Sequence, residues 1–235
     1  VDTGTDTTAT EWIVEDLAAN KIKLKSWTGD YLHRSDSVQE VTTWYTGIGN
    51  EWEVEFMTTV LQLDGQTNYI EIPHSSVFEM TNNFTVEAWF SAQTLEGYRR
   101  IFSKFPGFGS GLVGNALLFT IYWVKDYVVN TQITAGTWYH VAVVFDASNS
   151  ASFYLNGDLV QTVTGEMPAT VSTGPLEIGR KADGRGEYFH GQLAELRIWN
   201  KARTQAEIQA SKSYRLFGNE HNLVAYWPLD EATGS

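Results

Sequence analysis

Eight consecutive residues, Trp138-Tyr139-His140-Val141-Ala142-Val143-Val144-Phe145, are largely apolar on both of the faces a strand presents. Such a run predicts a central strand covered on both sides inside a layered β fold. Ser152-Phe153-Tyr154-Leu155 then meets Asn156-Gly157, two residues that accept positive φ, and Asp158-Leu159-Val160-Gln161 returns as the second arm of a hairpin. Upstream, Phe84-Thr85-Val86-Glu87-Ala88-Trp89 alternates at period two, and the runs 61–64 and 69–72 flank a turn at Gly65-Gln66. Further short strands are expected at 101–104, 117–124, 127–130, 176–178, 193–199 and 223–227. Helix is expected at one place, after Thr204, where Thr204 and Glu207 have the spacing of a capping box. Many short strands punctuated by turns are the pattern of an all-β sandwich, and an aromatic content of 14% suits half-buried pleated surfaces.

The first part of the chain has a different texture. Glu11-Trp12-Ile13-Val14-Glu15 and Glu51-Trp52-Glu53-Val54-Glu55 repeat each other, with short polar-apolar runs and turn formers between them. The change of texture divides the chain into a small N-terminal β segment over 1–58 and a sandwich over 59–235.

Charge narrows the partners. With 16 basic against 28 acidic residues the formal charge is −12, so a phosphate backbone is repelled over most of the surface and nucleic acid is not an expected partner. No segment approaches the ~20 apolar residues of a membrane-spanning helix. The absence of cysteine excludes disulfides and thiolate metal sites.

In order along the chain, Leu63-Asp64-Gly65 with Tyr69–Pro73, Phe84–Trp89, Gly136–Ala142, Phe153–Gly157, Pro175–Gly179 and Phe189-His190-Gly191 leading into Glu195–Asn200 resemble the laminin-G-like family of concanavalin A-like and pentraxin-like jelly rolls. The resemblance implies a two-sheet jelly-roll sandwich. It also implies an extracellular setting and recognition of glycans or extracellular protein ligands by loops at one rim, sometimes with a calcium ion. Asp64, beside Gly65, resembles the family's favoured cation ligand. Ala194 stands where many relatives carry Asp, leaving Glu195 as the second candidate. For the N-terminal segment, Ile22–Leu32 closing with Gly49–Trp52 is similar to one repeat of fascin-like or agglutinin-like β-trefoil domains, with a plain β-meander as the alternative.

Sugar recognition asks for an aromatic platform and a few fixed polar groups. The loops that offer this mixture put forward Tyr98, Arg100, Trp123, Asp126, Tyr127, Asp183, Arg185 and Tyr188. Glu87 and Arg197, in mid-strand, are expected to be structural charges, and His140 a satisfied strand histidine rather than a base.

Catalytic signatures are missing. No Glu is followed by Asp two residues on, as in the Glu-x-Asp-x-x-Glu strand of sandwich glycanases. Gly109-Ser110-Gly111-Leu112-Val113-Gly114 has dinucleotide-loop spacing, but Leu117-Leu118-Phe119-Thr120-Ile121 just beyond it reads as strand rather than helix, so a flexible loop is expected there. The leading expectation is a non-catalytic extracellular binding or adhesion module. The second is a structural protein that self-associates through the N-terminal segment, where Trp12, Trp27, Trp44 and Trp52 would need a partner. The third is a glycoside hydrolase.

Overall fold

The computed structural model describes residues 60–165, 167–184 and 186–230, together with the backbone of strand residues 13–16, 21–25, 42–43 and 51–55. The chain divides into two compact units, Val1–Thr58 and Thr59–Ser235. In the first, β1 (Ile13–Asp16), β2 (Lys21–Lys25), β3 (Thr42–Thr43) and β4 (Glu51–Glu55) form an antiparallel sheet in the order β1-β2-β4-β3. Most of the trefoil-like stretch, and Trp12, Trp27 and Trp44 with it, lie outside the described residues.

The second unit runs through β5 (Leu61–Asp64), β6 (Ile70–Ile72), β7 (Phe84–Ala92), β8 (Tyr98–Lys104), β9 (Phe108–Val113), β10 (Ala116–Ile121) and β11 (Lys125–Asn130). It continues with β12 (Trp138–Phe145), β13 (Ala151–Leu155), β14 (Asp158–Val163), β15 (Leu176–Ile178), β16 (His190–Trp199), helix α1 (Gln205–Ser211) and β17 (Leu223–Trp227). One sheet has the order β11-β10-β9-β8-β15-β6. The other has the order β14-β13-β12-β7-β16-β17, with β5 also paired to β16. Every pairing is antiparallel. The fold is therefore a two-sheet all-β sandwich, as the alternating runs predict.

Alternation decides what the two sheets enclose. Phe84, Val86, Ala88, Phe90 and Ala92 of β7 point inward with Val141, Val143 and Phe145 of β12. From the other sheet come Phe102, Phe108, Phe119 and Tyr127. The rings interlock, with Phe84 4.7 Å from Phe108 and 5.4 Å from Phe145, and Phe119 5.6 Å from Phe145 and 5.9 Å from Tyr127 between centroids. Tilted and edge-on pairs at such separations add about 0.5–1.5 kcal/mol each beyond burial.

The second apolar face of β12 is covered too. Ala142 and Val144, with Tyr154 of β13, pack under Ile208 of α1. The capping box is present: the Thr204 side chain accepts from Glu207 N–H while the Glu207 carboxylate accepts from Thr204 N–H. Beneath the helix lies a polar cluster. Glu87 Oε1 accepts from Trp199 Nε1 at 2.5 Å and from Arg203, and Oε2 stands 3.1 Å from His140 Nε2. Burial pushes the Glu87 carboxyl upward, but the hydrogen bond from His140 and the charges of His140, Arg203 and Arg197 outweigh it and hold the group below its ordinary value. Glu87 faces Arg197 across the β7–β16 ladder, yet Arg197 takes Glu195 as its ion partner at 2.6 Å. All of these serve to fix α1 and β16 to the sheet.

The stretch over Gly109–Val113 is not a loop, and only Gly114 lies in a turn. It forms the body of β9, because the phenyl group of Phe108 and the side chain of Leu112 bury inward while Gly109 and Gly111 face out. At Gly111 a Cβ would meet Arg99 O at 2.0 Å, so the neighbouring strand comes too close for any other residue.

Candidate binding site

A cavity of about 670 Å³ opens on the face of the β11-to-β6 sheet turned away from the core. Its polar floor follows from period-two alternation. Tyr127 and Phe119 face the core, so Asp126 and Thr120, one residue away on each strand, face out. In β8 a register shift between Arg100 and Phe102 lets Ile101 and Phe102 both bury inward and leaves Arg100 on the outer face.

Arg100 is 2% exposed and is held through Nε and Nη1. Its Nε donates to Glu187 Oε2 at 2.5 Å and its Nη1 to Thr120 Oγ1 at 2.7 Å. The guanidinium carbon lies 5.6 Å from the Tyr98 ring centre and 5.4 Å from that of Tyr122. Thr120 donates onward to Asp126 Oδ1 at 2.7 Å, and the Tyr98 hydroxyl donates to Asp126 Oδ2 at 3.3 Å. That carboxylate, with burial adding to it, raises the Tyr98 hydroxyl above its ordinary value. Lys181 Nζ sits 3.3 Å from both Asp183 Oδ2 and Glu187 Oε1.

One wall is aromatic. Phe105 meets Tyr122 and Trp123 edge-on at 5.0 and 5.2 Å. Tyr122 is buried over the sheet with its hydroxyl 2.7 Å from Ser103 Oγ, and burial pushes it up to about 12, so it stays a neutral hydroxyl. Trp123 is 80% exposed at the lip. It occupies the third place of a turn closed by Val124 N–H to Ile121 O and has φ of +65°. Glycine or asparagine normally takes such a place, and a bulky side chain there is strained by roughly 1–2 kcal/mol. Across the cavity Glu187 is also left-handed, at φ +55°. Positive φ at non-glycine residues is not confined to the cavity, since Gln132, Glu195 and Leu229 share it.

Of the residues put forward from sequence, Tyr98, Arg100, Trp123, Asp126 and Asp183 are brought together here. Tyr127 is not available: alternation turns it into the core, where it is 0% exposed and its hydroxyl donates to Asn149 O. Tyr188 lies off the lining, with its hydroxyl 3.4 Å from Arg180 Nη1. Arg185 lies outside the described residues. Phe105, Thr120, Tyr122, Lys181 and Glu187 make up the rest of the lining among the described residues, and nothing in their local sequence singles them out. The site also sits on the sheet face, with loops as walls, rather than among rim loops alone.

Asp64 and Glu195 do not fit a shared calcium ion. Asp64 pairs with His190 in the β5–β16 register, so Glu195 lies five residues farther along, about 16 Å away at strand rise. Asp64 is bound to its own loop: Oδ1 accepts the N–H groups of Gln66, Thr67 and Asn68 at 2.8–3.0 Å, and Oδ2 the Thr67 hydroxyl at 2.6 Å. These bonds, led by that from Asn68, hold its carboxyl far below the carboxylate range. Gly65 is required beside it, since a Cβ would approach His190 Cβ to 2.6 Å and φ is +73°. Glu195 is held by Arg197 and the Tyr226 hydroxyl. Among the described residues no three His, Asp or Glu side chains group as a cation site.

Two antiparallel sheets in this strand order define a concanavalin A-like jelly roll. Residues 64–209, more than half of the chain, match the Laminin_G_3 model of the concanavalin A-like lectin/glucanases superfamily, and the chain belongs to that family. No curated protein matches it. Among solved structures it is similar to a proposed carbohydrate binding protein from Bacteroides ovatus, at 18% identity and a TM-score of 0.64, over 92% of this chain and 62% of that one. The chain thus spans less than two thirds of that relative. Domain 4 of an extracellular arabinanase from Geobacillus stearothermophilus, solved with arabinotriose, aligns at 20% identity and a TM-score of 0.53 over 74% of this chain and 81% of that one. A heptameric pentraxin from Limulus polyphemus aligns at 18% identity and a TM-score of 0.51 over 65% and 80%.

Proposed function

We propose that the second unit is a non-catalytic glycan-binding module of an extracellular protein and that its ligand sits in the Trp123 cavity. The observation that carries this reading is a strained, 80% exposed tryptophan at the lip of a cavity whose floor is a ready-made hydrogen-bonding array. An indole face takes the C–H face of a sugar, while fixed carboxylate, hydroxyl and ammonium groups take its hydroxyls. About 670 Å³ is within the range of small-ligand sites. The carbohydrate binding proposed for the Bacteroides protein and the arabinotriose held by the arabinanase domain support the same class.

A hydrolytic role is less well supported. Among the described residues no Ser, His or Cys lines the cavity, and its carboxylates are occupied as acceptors by Arg100, Lys181, Thr120 and Tyr98. The proposed binding is independent of any cation at Asp64 and Glu195. An extracellular setting accords with the family, and no helix among the described residues is long and apolar enough to cross a membrane.

The test is a titration of the full chain with neutral oligosaccharides, arabinotriose among them, monitored by tryptophan fluorescence and iodide quenching. At least one should give a saturable change and shield an exposed tryptophan. A flat response across arabinan, xylan, glucan, galactan and mannan oligosaccharides would sink the reading.

A further inference from the structure

Resting on the reading of the cavity as a glycan site, we infer that it selects uncharged sugars and rejects those bearing carboxylate or sulfate. Among the described residues the lining holds two cations, Arg100 and Lys181, against three carboxylates, Asp126, Asp183 and Glu187. Both cations are already paired with carboxylates. Glu187 bridges both, with one oxygen 2.5 Å from Arg100 Nε and the other 3.3 Å from Lys181 Nζ, and Asp183 takes the second side of Lys181. Arg100 is further closed off beneath the cavity floor, 2% exposed and donating to Thr120.

An anionic sugar group that takes the third N–H of Lys181 stands beside Glu187 and Asp183, and closer pairing with either cation displaces one of those carboxylates, which then stands uncompensated in the same cavity. It also meets Asp126 and the field of a chain carrying −12 overall. A hydroxyl meets no such penalty. It donates to a carboxylate lone pair left over from the internal pairs, and accepts from the remaining N–H of Lys181. Discrimination is therefore built by repulsion against the charged competitor as much as by attraction to the neutral one.

The experiment is calorimetric titration of the full chain at physiological salt with two sets of probes. One set is the neutral arabinan, xylan, glucan, galactan and mannan oligosaccharides. The other is oligogalacturonate, hyaluronan and chondroitin sulfate fragments. We expect the best neutral probe to bind at least tenfold more tightly than any acidic one. Asp183→Asn, which removes one carboxylate from Lys181, should narrow that gap at least threefold by raising affinity for acidic probes. An acidic probe that binds as tightly as the neutral ones, in a manner abolished by Trp123→Gly, would overturn the selectivity while leaving the glycan site standing. Binding of every probe unaffected by Trp123→Gly, or no binding at all, would remove the site itself and the selectivity with it.

Discussion

Replacing Trp123 with glycine separates a functional role from a structural one, because the two predict opposite balances. In the folded state the change relieves a left-handed bulky residue, a gain of about 1–2 kcal/mol, at φ +65°. Against it stand the lost edge contact with Phe105 at 5.2 Å, about 0.5–1.5 kcal/mol, and the greater freedom of glycine in the unfolded chain, about 0.5–1 kcal/mol. Little buried area is lost, since the indole is 80% exposed. The sum lies between about −1.5 and +1 kcal/mol, which for a unit of this size shifts Tm by no more than about 6 °C. Binding should behave otherwise. Loss of an aromatic anchor costs about 2 kcal/mol, or roughly 30-fold in Kd. Calorimetric unfolding and oligosaccharide titration of the same two proteins read both quantities. A variant that melts more than about 10 °C lower would show that Trp123 is held for packing, and one that binds within threefold of wild type would remove it from the site.

Glu87→Ala strands Arg203 and His140 under α1 and should destabilise the unit by about 3–5 kcal/mol in urea unfolding, with Glu87→Gln less damaging. Because the folded Glu87 carboxyl lies below its ordinary value of 4.5, its contribution is complete above about pH 4.5 and is lost as pH falls through the folded value. Acid unfolding should therefore be shallower in Glu87→Gln than in wild type; identical acid limbs would contradict the assignment. Asp64→Ala should lower the thermal midpoint by the same amount in calcium and in chelator, since Asp64 serves its own loop. A loss seen only with calcium would restore it as a cation ligand. Gly111→Ala should prevent accumulation of folded protein or lower the midpoint sharply, because its Cβ has no room beside Arg99 O; a midpoint within a few degrees of wild type would refute that.

What the sequence determined by itself was whatever depends on near neighbours along the chain. Period-two runs placed β7 and β12 and their inward residues, two apolar faces on Trp138–Phe145 required cover on both sides, and Asn156-Gly157 turned as a hairpin with φ of 53° and 90°. The spacing of Thr204 and Glu207 marked the helix start, because caps are local hydrogen bonds. Five of the cavity residues were also legible, as aromatic and charged side chains clustered near strand ends. Tertiary structure alone decided which of them share a space. Tyr127 and Asp126 are adjacent in sequence, and the pleat sends one to the core and the other to the cavity. Glu187 joins Arg100 and Lys181 only because a loop ending near β16 folds back over β8, a contact 87 residues apart in the chain. The same holds for Asp64 and Glu195. Each resembles a ligand in its own stretch, but antiparallel register sets them at different levels of one sheet, and register is a property of paired strands that neither strand encodes alone.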